Sequence, residues 1–450
     1  MSGFSNFALS FSIISVLTGA ITLFGHGLTW GGPLEMTLGW PVVALGTVPV
    51  ALSLAELSSA FPTAGALYHW SALLGGKRLG WFTAWLNVVG QFAITAGIDY
   101  GLCELLAPAL GLPKDRALVL GLYAVVLLSH GALNHLGVQL VARLNTVSAW
   151  YHVVGVVVLA VALVAFAPHQ SAAFLLETGA APQGLAWLGF LVGMLQGAWT
   201  FTGYDASAHA VEETKDPALN APRGIVLSVV SSAVAGWVLL LAVTWAVPSL
   251  EGAKAADNAF LFVLHRSLGR VGDVLVWLVL GAMWFCGLAS VTSNSRMLYA
   301  FARDGGVPFS AALQRVSPRF KSPSVAVWVS VGMALLVAVW ADAYSAMVAL
   351  STVALYGSYA LPIAAGARAR DEGRWTVRGP WHLGRWSKAL NAVAVLWLCA
   401  LMVLMVVPPN ELAGVTLVGV LVALVVGWQV VGARFRGPPV SLEAFQRPVP

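Results

Sequence analysis

The chain reads as an all-α integral membrane protein of twelve transmembrane helices, and three observations carry that reading. Of its 450 residues, 59% are hydrophobic and only 10% charged, against about 25% charged in an ordinary soluble domain; mean hydropathy is +0.82. Thirteen stretches of at least 20 residues lack Asp, Glu, Lys and Arg, twelve of them apolar enough to read as spans, and about 20 apolar residues at about 1.5 Å each cross a hydrocarbon core of about 30 Å. The 24 basic side chains lie in short loops between these stretches, not in the single patch that a nucleic-acid partner needs. Three cysteines, Cys103, Cys286 and Cys399, all inside apolar runs, build no disulfide framework. A soluble enzyme, a secreted scaffold and a disordered chain are excluded together.

In order, the twelve are 4–34, 36–55, 79–98, 117–142, 144–176, 178–204, 224–250, 274–295, 322–341, 343–367, 389–410 and 412–433. Residues 1–6 are short and uncharged, so the first stretch is expected to be a span and not a cleaved leader. Residues 57–76 also lack charge, but Ser58, Ser59, Pro62, Thr63 and His69 make them a connector. With Met1 placed in the cytoplasm, the inner loops and tail hold 18 basic residues, Arg447 among them, the outer loops five, and Arg296 sits in or at the end of the eighth stretch. That asymmetry predicts a multi-pass protein of the cytoplasmic membrane with both termini inside. No loop is long enough for an extramembrane module, so the chain is a single domain over 1–450 whose work is done within the bundle.

Two spans are interrupted. The first carries three glycines and two threonines between Thr18 and Gly27, and the sixth carries Gly197, Thr200, Thr202 and Gly203 just before Asp205. Glycine weakens a helix by about 1 kcal/mol relative to alanine, and threonine can satisfy carbonyls freed by unwinding. Small residues also serve close helix packing, but two such clusters, each opening one half of the chain, point to a midplane binding site.

The segments ALSLAELSSAFPTAGALYHWSALLGG (51–76), FTGYDASAHAVEETKDPALNAPRGI (201–225) and SNSRMLYAFARDGGVP (293–308) resemble signatures of the amino acid–polyamine–organocation (APC) superfamily permeases. The start, FSIISVLTGAITLFGHGLTWGGP (11–33), is similar to the amino acid/choline branch, which includes GABA permeases. The resemblance implies a leucine-transporter-like fold of five-plus-five inverted repeats, about 7–167 and 185–367, with two additional C-terminal helices in 389–433. It also implies alternating access of a moving bundle against a scaffold.

By the same resemblance, backbone N–H groups of Ile21, Thr22, Leu23, Phe24 and Gly25 receive a substrate carboxylate, although Leu23-Phe24-Gly25 stands where relatives carry a Gly-Ser-Gly-like stretch. Carbonyls around Trp199, Thr200, Phe201 and Thr202 receive the ammonium, with Trp199 as an aromatic gate and a cation–π partner. Gln91 and Ser290 are candidate substrate contacts, and interhelical hydrogen bonding is the alternative for both. His152 falls where some proton-coupled relatives carry a buried lysine, and an imidazole titrates near physiological pH; a neutral interhelical histidine is the rival. Asp205 is a candidate inner gate with Tyr356 or Tyr359 as partner. Glu56 reads as structural, Asp99 and Glu104 as reaching the interface or a basic loop residue, and EETKDP and ARDGG as solvated loops.

These readings predict a secondary transporter of an amino acid or related small amine, coupled to protons, with no cofactor, metal or nucleic-acid partner. Proton-independent exchange or facilitation, or a sensor on a permease scaffold, are the alternatives. HExxH and GxxxxGK[ST] are both absent from the sequence.

Overall fold

A computed structural model describes residues 1–341, 344–406 and 411–446, and every regular element among them is helical. Ala343 of the tenth predicted stretch, the last four residues of the eleventh (407–410) and Arg447 lie outside the described residues. The first stretch divides into α1 (Gly3–Ile14), α2 (Val16–Thr22) and α3 (Phe24–Trp30). It is followed by α4 (Trp40–Ala60), α5 (Leu67–Gly75), α6 (Lys77–Ala109), α7 (Arg116–His135) and α8 (Val138–Phe166). The second half begins with α9 (Ala186–Gly193), α10 (Leu195–Thr200) and α11 (Ala206–His209), then α12 (Pro217–Trp245), α13 (Leu250–Ala255), α14 (Ala259–Leu268) and α15 (Arg270–Arg303). It closes with α16 (Ser310–Leu313), α17 (Ser324–Trp340), α18 (Tyr344–Asp371), α19 (Ser387–Leu404), α20 (Glu411–Val431) and α21 (Leu442–Gln446).

Among the described residues, nine helices are long and apolar enough to cross a bilayer. The third, sixth and ninth predicted stretches fall on α6, on the interrupted α9–α10 and on the 17-residue α17, none of which is among those nine. The protein is a multi-pass helical membrane protein.

Burial follows the logic of lipid as solvent, with apolar side chains outward and polar ones inward. Along α8, Asn145, Ser148 and His152 are buried at helical spacing while Val153, Val154, Val157 and Val161 are exposed. The centre is built from α1–α2, α6, α15 and α18; α6 packs against α18, α15, α5, α7 and α17. At the edge, only 11% of the α20 span is buried, against 83% of the α1–α2 span.

Three polar expectations resolve here. Glu56 is structural: its carboxylate accepts from Ser387 Oγ (2.7 Å) and the Leu383 N–H (3.0 Å), and it forms an ion pair with the Arg370 guanidinium (3.1 Å). Asp99 does not reach the interface. It is wholly buried and pairs with His130 of α7 at 3.0 Å, because position 99 faces inward on α6. ARDGG is not solvated either. Asp304 is 4% exposed and accepts from Tyr68 OH at 2.8 Å and His69 Nε2 at 2.6 Å, since the connector folds α5 back over the end of α15.

Candidate functional site

Helix α1 stops at Ser15, whose backbone (φ 17°, ψ 88°) leaves helical geometry. The surrounding run Ile13-Ile14-Ser15-Val16 is β-branched apart from a serine, and serine competes for backbone hydrogen bonds in non-helical conformations. Its carbonyl restarts the chain as α2 by accepting the N–H groups of Thr18 (2.8 Å) and Gly19 (3.0 Å). Its hydroxyl lies 2.6 Å from Thr18 Oγ1 and 2.7 Å from His152 Nε2. His152 Nδ1 sits 2.8 Å from the Ser148 carbonyl, which can only accept; Nδ1 therefore carries the proton, and in the neutral imidazole Nε2 accepts from Ser15.

The second interruption runs from Phe201 to Asp205, between α10 and α11. Gly203 adopts φ +83°, and a Cβ there would collide with Ile13 Cγ2 of α1. Only glycine meets both demands. Thr202 Oγ1 caps the freed Trp199 carbonyl at 2.6 Å, Tyr356 OH donates to the Ala198 carbonyl at 2.6 Å, and the Gly203 N–H donates to Tyr359 OH at 3.1 Å. Within the break, the Tyr204 carbonyl accepts from Ser10 Oγ at 2.8 Å, tying this segment back to α1.

Between the two interruptions lies a cavity of ≈ 10 Å³ lined by Ile13, Ile14, Thr18 and Gly19 from the first span and Trp199, Thr200 and Thr202 from the sixth. Ile94 and Ile98 of α6 and Cys286 of α15 complete it. That volume holds about one water. Trp199 is fixed by donation from Nε1 to Ser351 Oγ (3.1 Å) and by an edge-on ring contact with Tyr344 (6.2 Å).

Several predicted residues lie elsewhere. Ile21 and Thr22 belong to the body of α2, and Leu23, Phe24 and Gly25 follow it, because the sharp break is at Ser15, upstream of them. Phe24 is buried away from the cavity, and Phe201 packs on Trp40 with ring centroids 4.7 Å apart. Gln91 and Ser290 face the α6–α15 contact: Gln91 Nε2 donates to Ser293 Oγ (3.3 Å), and Ser290 Oγ lies 2.7 Å from Thr95 Oγ1.

Asp205, fully buried, accepts from Tyr359 OH at 2.7 Å, Asn87 Nδ2 at 3.1 Å and His209 Nε2 at 3.1 Å. Tyr356 does not join it. The sequence reading names Thr18 and Gly19 only as part of the first interruption, and does not name Asn87, His209 or Ser15, which the fold brings to these positions. The four-residue spacing of Asp205 and His209 was the available signal for one of them. Among the described residues, no group of three or more His, Cys, Asp or Glu side chains is placed to hold a metal ion.

Comparison with known proteins agrees with this architecture. The amino acid permease family model matches residues 2–430. The rice amino-acid permease BAT1 homolog (Oryza sativa subsp. japonica) is 37% identical, with 98% of this chain and 93% of the relative covered. The Arabidopsis thaliana amino-acid permease BAT1 is 36% identical, with 97% and 93% covered. An uncharacterized amino-acid permease of Schizosaccharomyces pombe is 29% identical, with 98% and 87% covered. Matched along nearly its whole length, the chain belongs to the amino acid permease family of the APC superfamily, a family of transporters and not of enzymes.

Proposed function

We propose that this protein is a secondary active transporter that moves an amino acid or related small amine across the cytoplasmic membrane by alternating access, importing it with protons. The observation that carries the reading is the meeting of two interrupted helices, at Ser15 and at Phe201–Asp205, around a cavity walled by Trp199. The printed names of the relatives, amino-acid permeases, support the substrate class.

An amino acid presents a carboxylate and an ammonium. The N–H groups that open α2, those of Val16 and Leu17, precede the first intrahelical carbonyl and favour an anion, whereas those of Thr18 and Gly19, in the cavity wall, already donate to the Ser15 carbonyl. Carbonyls of the non-helical Phe201–Asp205 segment and the face of Trp199 suit the ammonium. A one-water cavity holds no amino acid, so binding requires the α1–α2 and α10 pair to part from α6 and α15. The chain His152–Ser15–Thr18 leads from a titratable ring to the cavity wall. Protonating Nε2 would reverse its bond to Ser15, and that reversal is the proposed link between proton and substrate. Asp205, bridging the second break to α6 and α18 through Asn87 and Tyr359, is the proposed inner gate.

Twelve crossings, two inverted repeats over about 7–167 and 185–367, and termini on the cytoplasmic side belong to the same proposal. It is supported by interruptions opening both halves of the chain, by the lipid-facing α20 at the edge and by the 18-to-five distribution of basic residues.

Uptake of labelled amino acids into proteoliposomes tests the proposal. Accumulation driven by an inward proton gradient is expected. Uptake that needs internal amino acid and ignores the gradient would make the protein an exchanger, and no uptake of any amino acid or amine would overturn transport.

A further inference from the structure

A second buried acid–imidazole pair lies behind the cavity wall. Asp99 of α6 and His130 of α7 are both wholly buried and meet through Oδ2 and Nδ1 at 3.0 Å. A carboxylate only accepts, so Nδ1 donates and Nε2 is left as a bare base. Among the described residues, neither His130 Nε2 nor Asp99 Oδ1 has a hydrogen-bond partner. Buried polar atoms are nearly always satisfied, so two orphaned acceptors on adjoining groups mark a place with room for a proton.

The surroundings are arranged around the pair. A Cβ at Gly287 of α15 would collide with Asp99 Oδ1 and crowd the His130 ring, so only glycine allows α15 to approach. Asn134 fixes the local backbone, donating to the carbonyls of His130 (3.0 Å) and Leu288 (3.3 Å). The other titratable groups within electrostatic reach are Cys103 on α6, Tyr123 on α7 and Cys286 on α15, none charged near neutral pH at its ordinary value. Glu104 of α6, toward its outer end, faces Lys114, and Tyr344 of α18 contacts Gly101. Neither α2 nor α17 contributes a titratable side chain, and α8 directs His152 to Ser15. With imidazole neutral the pair carries one uncompensated negative charge inside the bundle, which is costly. One proton removes it.

The pair is also connected. Ile98 and Cys286 line the cavity, and the next residues along their helices are Asp99 and Gly287. On α6, Asn87, Gln91, Thr95 and Asp99 recur every four residues on one buried face, bonded in turn to Asp205, Ser293, Ser290 and His130. The stripe spans about 18 Å at the helical rise, from one buried carboxylate to the other.

We propose that Asp99 and His130 form a proton-binding site distinct from His152, which takes up one proton per cycle and communicates with Asp205 along the polar face of α6. The coupling role rests on the transport reading above; the proton site itself does not.

Two measurements on the full-length reconstituted protein keep these apart. Infrared difference spectra between acid and neutral pH, without substrate, are expected to contain a carboxyl or imidazolium band missing from both Asp99→Asn and His130→Gln. Difference spectra identical to wild type in both variants would overturn the site. Labelled-substrate counterflow and gradient-driven accumulation are then compared. One pH unit drives about tenfold accumulation per coupled proton, and the variants are expected to lose that factor while keeping counterflow, which also shows that they fold. Full gradient dependence in both variants would overturn the coupling role. A wild type indifferent to the gradient that still shows the shared band would sink proton-coupled import and leave the proton site standing.

Discussion

Gly203 sits directly over Ile13, with no space for a Cβ between them. With Gly19, whose Cβ would collide with Thr200 Oγ1, this approach sets the spacing of the two interrupted helices. Gly203→Ala adds both a collision and a left-handed backbone at a non-glycine residue, of order 1–3 kcal/mol. Proteoliposome uptake is expected to fall about tenfold or more, the factor that 1.4 kcal/mol represents, with a lowered melting temperature. Wild-type uptake by Gly203→Ala would show that the approach is dispensable.

Among the described residues, Trp199 is the one large aromatic side chain lining the cavity. Trp199→Ala is expected to abolish the thermal stabilisation that a transported amino acid gives the purified protein. Trp199→Phe keeps a ring face but loses donation to Ser351 Oγ, and should bind more weakly than wild type yet measurably. Equal stabilisation of all three proteins would remove Trp199 from the site.

His152 reaches Ser15 at the first break. Glutamine there can hold a hydrogen bond but cannot change charge between about pH 5 and 8. His152→Gln is therefore expected to remove one titration from the pH profile of uptake while counterflow persists. A profile that keeps its wild-type shape would exclude the His152–Ser15–Thr18 relay.

Tyr359 and Tyr356 are both buried phenols on α18, with different acceptors. Tyr359 OH donates to the Asp205 carboxylate and receives the Gly203 N–H, whereas Tyr356 OH donates to the neutral Ala198 carbonyl. Hydrogen bonds to charged groups are worth about 1.5–3 kcal/mol and neutral ones about 1. In thermal unfolding, Tyr359→Phe should melt lower than Tyr356→Phe. The reverse order would mean that Asp205 does not depend on the phenol.

Nine long apolar helices and the existence of two interruptions were legible in the sequence because both rest on local composition: charge-free runs, and Gly and Thr clusters at Thr18–Gly27 and Gly197–Gly203. Which residue leaves the helix was not. Ser15 lies just before the first cluster, and its hydroxyl meets His152, 137 residues away. Asp205 was legible as a special position, and its partner Tyr359 was one of two named, but Asn87 reaches it from another helix. Asp99 and Asp304 were misread for one reason. A charged residue in an apolar chain suggests a surface, and nothing local to Asp99 or Asp304 reveals the His130 or His69 that makes burial tolerable.

Four isoleucines, Ile13, Ile14, Ile94 and Ile98, form part of the wall of the one-water cavity. So narrow and greasy a space supports no continuous file of solvent, and ions stripped of hydration gain nothing there in return. Between turnovers the protein should thus act as an electrical insulator: vesicles carrying it without substrate are expected to hold an imposed voltage as long as bare lipid does.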